Sequence, residues 1–257
     1  MRVLAFLLLA LCALPAGADE NDWQVPFITT PGDVVERMLD LAATKADDYV
    51  VDLGSGDGRI VITAARKYGA RGLGIELDAD LVRTSRENAR RAGVADRVKF
   101  VQGDVLTTDF SSATVVTVYL LPDLIGKLQP IFVDALKPGT RIVSHAFGMA
   151  GWRPDRTQSI TVTQPHPGQG DESTLRLWIV PADVRGTWRV PDGRRVRIEQ
   201  NYQEIEVEGA KTATLSGAEV AWQSPEGRFN GRVLGGRIEG ALTSQKGVQA
   251  LTLTRER

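Results

Sequence analysis

The chain has 257 residues, 42% hydrophobic and 25% charged, with a formal net charge of −1. That length holds one large α/β domain and something smaller, and the fractions are ordinary for a soluble globular protein. Near-neutral charge leaves no basic field to gather nucleic acid as a main partner, and a single cysteine excludes a disulfide framework within the chain.

Met1-Arg2 supplies one positive charge, and Val3 to Leu14 is an almost unbroken apolar run. Ala16-Gly17-Ala18 offers the small residues that signal peptidase requires. The run is short for a membrane span. It predicts a signal peptide over residues 1–18, cleaved after Ala18, and export to the periplasm. The alternative is an uncleaved leader that anchors the chain, with membrane contact confined to it. Cys12 lies within this leader, and Leu11 before it is too bulky for a lipoprotein box.

Residues 21–31 read as an extended arm. Thr30 is then expected to cap a helix, with Pro31 at its first position and Asp33 completing a capping box. Val34, Val35, Met38, Leu41 and Ala42 share one face of that helix. Tyr49 to Leu53 reads as a buried strand, and Gly54, Gly56 and Gly58 follow at every second position. Glycine admits φ > 0 and lets a ligand lie on bare backbone. The helix over Ile60–Tyr68 opens with N–H groups that need acceptors, and Gly69 stops it. A dinucleotide fingerprint would place its third glycine where Arg59 stands. Here a carboxylate, Asp52, leads the loop, and a carboxylate repels pyrophosphate but pairs with an ammonium.

Further strands are predicted over Arg71–Glu76, Val98–Asp104, Thr114–Leu120 and up to Ser144. A helix over Leu81–Ala92 and another starting at Pro122 lie between them. Strands alternating with helices at this pitch mean βαβ units and a mainly parallel sheet. Ile160–Thr163 and Thr174–Val180 add two strands with no helix between. The fold class is therefore α/β, a seven-stranded Rossmann-like sheet over residues 19–182. Residues 183–257 alternate apolar with polar between turn signals and predict a small antiparallel β domain, a barrel or sandwich of six or seven strands. Ala213–Trp222 counts there as one strand.

Asp52, Glu76 and Asp104 end three successive strands. An acid about 20 residues past such a loop is placed to hold ribose hydroxyls, which points to Glu76. The acid-led loop resembles motif I of the class I S-adenosylmethionine (SAM) methyltransferases. Their adenine-binding acid matches Asp104 in Gln102-Gly103-Asp104-Val105. Pro26-Phe27-x-x-Thr30-Pro31, Gly74-Ile75-Glu76 and Leu136-x-Pro138-Gly139-x-Arg141-Ile142-Val143-Ser144 narrow the resemblance. They are similar to the mitochondrial lysine methyltransferases of the ATP synthase c-subunit and the adenine nucleotide translocase. The resemblance spans residues 26 to about 155 and leaves the β domain outside.

It implies SAM as cofactor, with Thr30 and Pro31 closing over it. Asp52, Gly54, Ser55, Gly56, Gly58, Glu76, Asp104 and Val105 would hold it. Methyl transfer is an in-line displacement in which positioning does most of the work. Tyr119 would border the transfer point, and His145 could serve as a base. The run Val118-Tyr119-Leu120-Leu121-Pro122 lacks the Asn/Asp-Pro-Pro-Tyr signature of nucleobase amino-methyltransferases. That absence argues against DNA or RNA, and the resemblance to the lysine branch implies an amine acceptor, on a protein lysine or a small molecule. His145 and His166, without a cysteine pair, predict no metal site. The alternative function is a non-catalytic exported binding protein that retains the fold.

Overall fold

The computed structural model describes residues 28–163, 165 and 170–256. The leader at 1–18, Cys12, the arm up to residue 27 and His166 lie outside the described residues. The first half is built from α1 (Gly32–Leu41), β1 (Tyr49–Leu53), α2 (Arg59–Tyr68), β2 (Arg71–Glu76), α3 (Ala79–Arg91), β3 (Val98–Gln102), β4 (Val115–Val118), α4 (Pro122–Ala135), β5 (Arg141–His145), β6 (Arg156–Thr161) and β7 (Glu172–Ile179). Its seven-stranded sheet runs β3-β2-β1-β4-β5-β7-β6. Strands β1 to β5 pair in parallel, and β7 runs antiparallel to both its neighbours.

Side chains alternate across the sheet, so neighbouring residues feed different cores. Val50, Val115 and Val143 pack with Val34, Met38 and Leu39 of α1 and Ile60 and Ala64 of α2. Val51, Val116 and Ile142 face the other way, against Ile125, Leu128 and Phe132 of α4. Both helical layers are needed because a parallel sheet presents apolar residues on both faces.

Three local expectations change. Helix α1 begins at Gly32, with Pro31 at the N-cap and no side chain capping it. The Asp33 carboxylate instead accepts from the Thr163 N–H and hydroxyl, both at 2.8 Å. That bond crosses 130 residues, beyond any local capping rule. Strand β3 ends at Gln102, so Asp104 sits in the following turn, where it accepts from the Leu106 N–H at 2.8 Å. Ala213–Trp222 is two strands, because Gly217 takes φ +56 in a turn that pairs Ser216 with Glu219.

The second half therefore has eight strands: β8 (Gly186–Arg189), β9 (Arg195–Asn201), β10 (Glu204–Val207), β11 (Thr212–Ser216), β12 (Glu219–Ser224), β13 (Gly227–Leu234), β14 (Arg237–Ser244) and β15 (Gly247–Arg255). Their order is β10-β9-β8-β15-β14-β13-β12-β11. Strand β15 closes onto β8, and β10 and β11 lie side by side, so the meander curls into a barrel. Trp188, Phe229, Ile238 and Leu253 fill its interior.

At the amino ends of the strands, away from the glycine loop, Arg141 ties several elements together. It pairs with the buried Asp48 and donates to the carbonyls of Ala42 (2.9 Å) and Ala43 (3.2 Å). Thr114 Oγ1 donates to the same carboxylate at 2.7 Å. Removing the cation strands a charge that is 5% exposed. Arg141→Ala is expected to cost roughly 2–4 kcal/mol in urea unfolding, discounted because the guanidinium is itself partly exposed.

Candidate active site

The carboxyl ends of β1, β2 and β4 open into a cleft of about 810 Å³. Gly54, Gly56 and Gly58 all have positive φ, at +76°, +52° and +82°, a region other residues enter only under strain. The N–H groups of Gly54 and Ser55 donate to the Ile75 carbonyl at 2.9 and 3.0 Å, which hangs the loop on β2. The Gly56 N–H donates to the Glu76 carboxylate at 2.8 Å. A Cβ at Gly58 would meet the Phe100 ring at 2.7 Å and Ser85 at 2.9 Å. Gly58 thus serves the close packing of loop against helix rather than the cleft wall.

Asp52 is 3% exposed and accepts a 2.7 Å bond from Thr117 Oγ1, its register partner on β4. Burial pushes its carboxyl up from 3.8 to about 7; the hydroxyl bond opposes that, and the charges of Glu76 and Asp57 add to it. Ser55 Oγ is buried without a hydrogen-bond partner. Arg59 pairs with Asp57 at 2.6 Å and donates to the Thr30 carbonyl at 2.8 Å. It thereby pins the segment before α1 across the loop. Thr30, Asp52, Gly54, Ser55, Gly56, Glu76, Asp104 and Val105 all line the cleft. Pro31 and Gly58 are not among its lining residues.

Tyr119 lines the far end with Leu120 and Leu124. His145 lies behind it, 2% exposed, its ring centroid 4.1 Å from that of Tyr119. Its Nε2 is 3.0 Å from Ser173 Oγ and its Nδ1 is buried without a partner. Burial brings the imidazole down to about 4, so it is neutral near pH 7. The ring the sequence offers as a base is therefore walled off from the cleft by Tyr119.

Asp52, Asp57, Glu76, Asp78 and Asp104 line the cleft against one cation, Arg59. Such a wall repels phosphates and suits a ligand carrying an ammonium and a sulfonium. The bare backbone of the loop leaves hydrogen-bonding capacity for its polar groups. SAM fits this chemistry. Thr117 and Arg59 are site residues that the sequence motifs did not single out. A lone hydroxyl in the otherwise apolar run Val115–Val118 was the only local sign of the first.

The model for the ANTKMT methyltransferase domain matches residues 52–156. A protein-lysine N-methyltransferase of Saccharolobus islandicus is 44% identical over 131 residues, covering 51% of this chain and 81% of that protein. The chain belongs to this methyltransferase family. The mouse lysine N-methyltransferase of the ATP synthase c-subunit is 35% identical over 133 residues, 52% of this chain and 53% of the relative. The chain thus spans about half the length of that mammalian protein. A crystal structure of an RNA methyltransferase from Salinibacter ruber with S-adenosyl-L-homocysteine (SAH) superposes with a TM-score of 0.55 and 52% identity. It covers 61% of this chain and 96% of its own. The protein is a SAM-dependent methyltransferase, and SAM is its cofactor.

For this methyltransferase the raised Asp52 carboxyl has a definite linkage sign. The native state keeps the proton longer than the unfolded chain does. Its contribution to stability is thus full below 3.8 and is lost as pH rises through about 7. Asp52→Asn is expected to raise the melting temperature of the ligand-free protein at pH 8 by roughly 3–8 °C and to leave it nearly unchanged at pH 4. The same substitution should abolish SAH binding in calorimetric titration.

Proposed function

We propose that the protein transfers the methyl group of SAM to the ε-amino group of a protein lysine. The observation that carries this is the neutral, largely apolar wall at the far end of the cleft. Tyr119, Leu120 and Leu124 line it, with an uncharged imidazole behind. A lysine attacks only as the free amine, and desolvation lowers its pKa. An apolar wall therefore favours the form that reacts. The family model covers residues 52–156, which include the three residues of this wall, and the relatives are named for lysine methylation.

SAM supplies an activated methyl group on a sulfonium. Asp52 would neutralise the ammonium of the cofactor, Glu76 would take the ribose hydroxyls, and Asp104 with Val105 would hold the adenine. Thr30, tethered by Arg59, would cover the bound ligand, and Pro31 behind it would not. The amine lone pair forms the N–C bond as the C–S bond breaks, leaving a methylammonium and a neutral thioether. The lysine proton leaves to solvent on entry. In this scheme His145 backs Tyr119 and takes no proton, since Nε2 is engaged by Ser173 and the ring is covered.

Incubating the protein with methyl-labelled SAM and a cell extract, then digesting samples with protease or ribonuclease, tests the acceptor class. Label released by protease and recovered as methyllysine after acid hydrolysis is the expected result. Label released only by ribonuclease would overturn the proposal in favour of RNA.

Export is proposed from the leader pattern at residues 1–18. Alkaline phosphatase fused after Asp22 is expected to be active, and an inactive fusion would count against export.

A further inference from the structure

Residues 146–155 run from the back of the cleft to the barrel, and both ends of this segment are fastened. At the cleft end, Ala146 takes φ +66, its carbonyl accepts from Arg176 Nη1 at 2.5 Å, and Ser144 Oγ donates to the Phe147 carbonyl at 2.5 Å. The Phe147 ring stacks on Tyr119, with centroids 6.5 Å apart at 19°. At the other end Trp152, 1% exposed, stacks face to face with Tyr202 at 4.7 Å and 4°. Its indole N–H donates to Gln203 Oε1 at 2.8 Å, and Gln203 Nε2 donates to the Arg153 carbonyl at 2.5 Å. Gln129 of α4 donates to both the Ala150 carbonyl and the Tyr202 hydroxyl, each at 2.8 Å.

Tyr202 and Gln203 form the turn between β9 and β10, and Tyr202 sits at φ +54. A bulky residue persists there only when its surroundings hold it. Gln200 of the barrel holds the Tyr202 carbonyl at 2.6 Å, while the Tyr202 ring and hydroxyl are held by Trp152 and Gln129 of the methyltransferase half. The family match ends at residue 156, so this turn lies beyond the part of the chain that carries the cofactor loop.

We propose that the Tyr202–Gln203 turn is a clamp by which the barrel positions the acceptor wall, acting through Trp152, Phe147 and Tyr119. Tyr202 and Gln203 are thus positioning residues for methyl transfer and not for cofactor binding. This rests on Tyr119 bordering the transfer point. Its physical basis is that in-line displacement tolerates little misplacement of the reacting groups. The Met149–Trp152 bridge links the indole's backbone to the short stretch after Phe147, so a shift at Trp152 bears on the ring that packs on Tyr119.

The chain has four tyrosines, so the full-length protein labelled with 3-fluorotyrosine gives a simple fluorine NMR spectrum. The Tyr119 signal is assigned by its loss in Tyr119→Phe. In Gln203→Ala we expect the Tyr119 signal to shift or broaden while those of Tyr49 and Tyr68 stay in place. SAH affinity should stay within about twofold, and methyl incorporation into protein should fall about tenfold or more. A Tyr119 signal that stays put while only that of Tyr202 moves would reduce the turn to domain docking and overturn the proposal, as would a large loss of SAH affinity. Should Gln203→Ala not fold, Gln203→Glu keeps the acceptor for Trp152 and removes the donor to Arg153. It is expected to move Tyr119 in the same direction by less, and an unmoved signal there also overturns the proposal. The spectrum and the SAH titration need no acceptor. A wild type that labels no protein therefore counts against the lysine assignment alone.

Discussion

An acid buried at the carboxyl end of the central strand governs the methyltransferase half. Asp52 has a single hydroxyl, that of Thr117, as its side-chain hydrogen-bond donor, and two more acids, Asp57 and Glu76, raise its proton affinity. The sheet order makes this possible, because β1 lies between β2 and β4. One neighbour brings Glu76 to the loop and the other brings Thr117 to the carboxylate. Without a cationic ligand the arrangement is electrostatically unfavourable, which is the usual condition of a site kept for function rather than stability.

Much of this was legible because its causes are local. Apolar runs of strand length, helices with one apolar face and glycines at alternate positions predict β1, α2 and the loop between them. They also place Asp52 and Glu76 at strand ends. What was not legible depends on partners far along the chain. Asp33 reaches Thr163 instead of capping its own helix, and Arg59 reaches the Thr30 carbonyl. Thr117 becomes a site residue only once β4 is registered on β1. His145 is the last residue of β5, yet the Tyr119 ring lies over it, and no spacing rule reports which of two rings lies in front.

Apolar–polar alternation predicts the barrel's strands but not their number, since a single glycine turn at Gly217 divides one predicted strand into two. Gly217 also meets Gly139 of the other half closely enough that a Cβ would come within 2.9 Å of its Cα, and its carbonyl accepts from the Ala182 N–H at 2.7 Å. Together with the stacked Trp152 and Tyr202, this gives the halves two separate points of close contact. Because aromatic stacking and buried hydrogen bonds both require defined geometry, the relative placement of the halves is specified by side chains rather than by the connecting segment alone.

Closure of the barrel by its last strand sets an order of events during synthesis. The α/β sheet has all seven strands once Ile179 has left the ribosome, and it can assemble as a unit. The barrel cannot, because β8 waits for β15, whose Arg255 and Thr254 pair with Trp188 and Arg189. Until then β8–β10 and β11–β14 are two separate antiparallel sheets, with β8 and β14 as unpaired edges besides β10 and β11, the state most prone to pairing with another chain. A bulky fusion joined just after Glu256 would burden this final step, because Glu256 itself binds Arg189 and Arg195 across the closing strands.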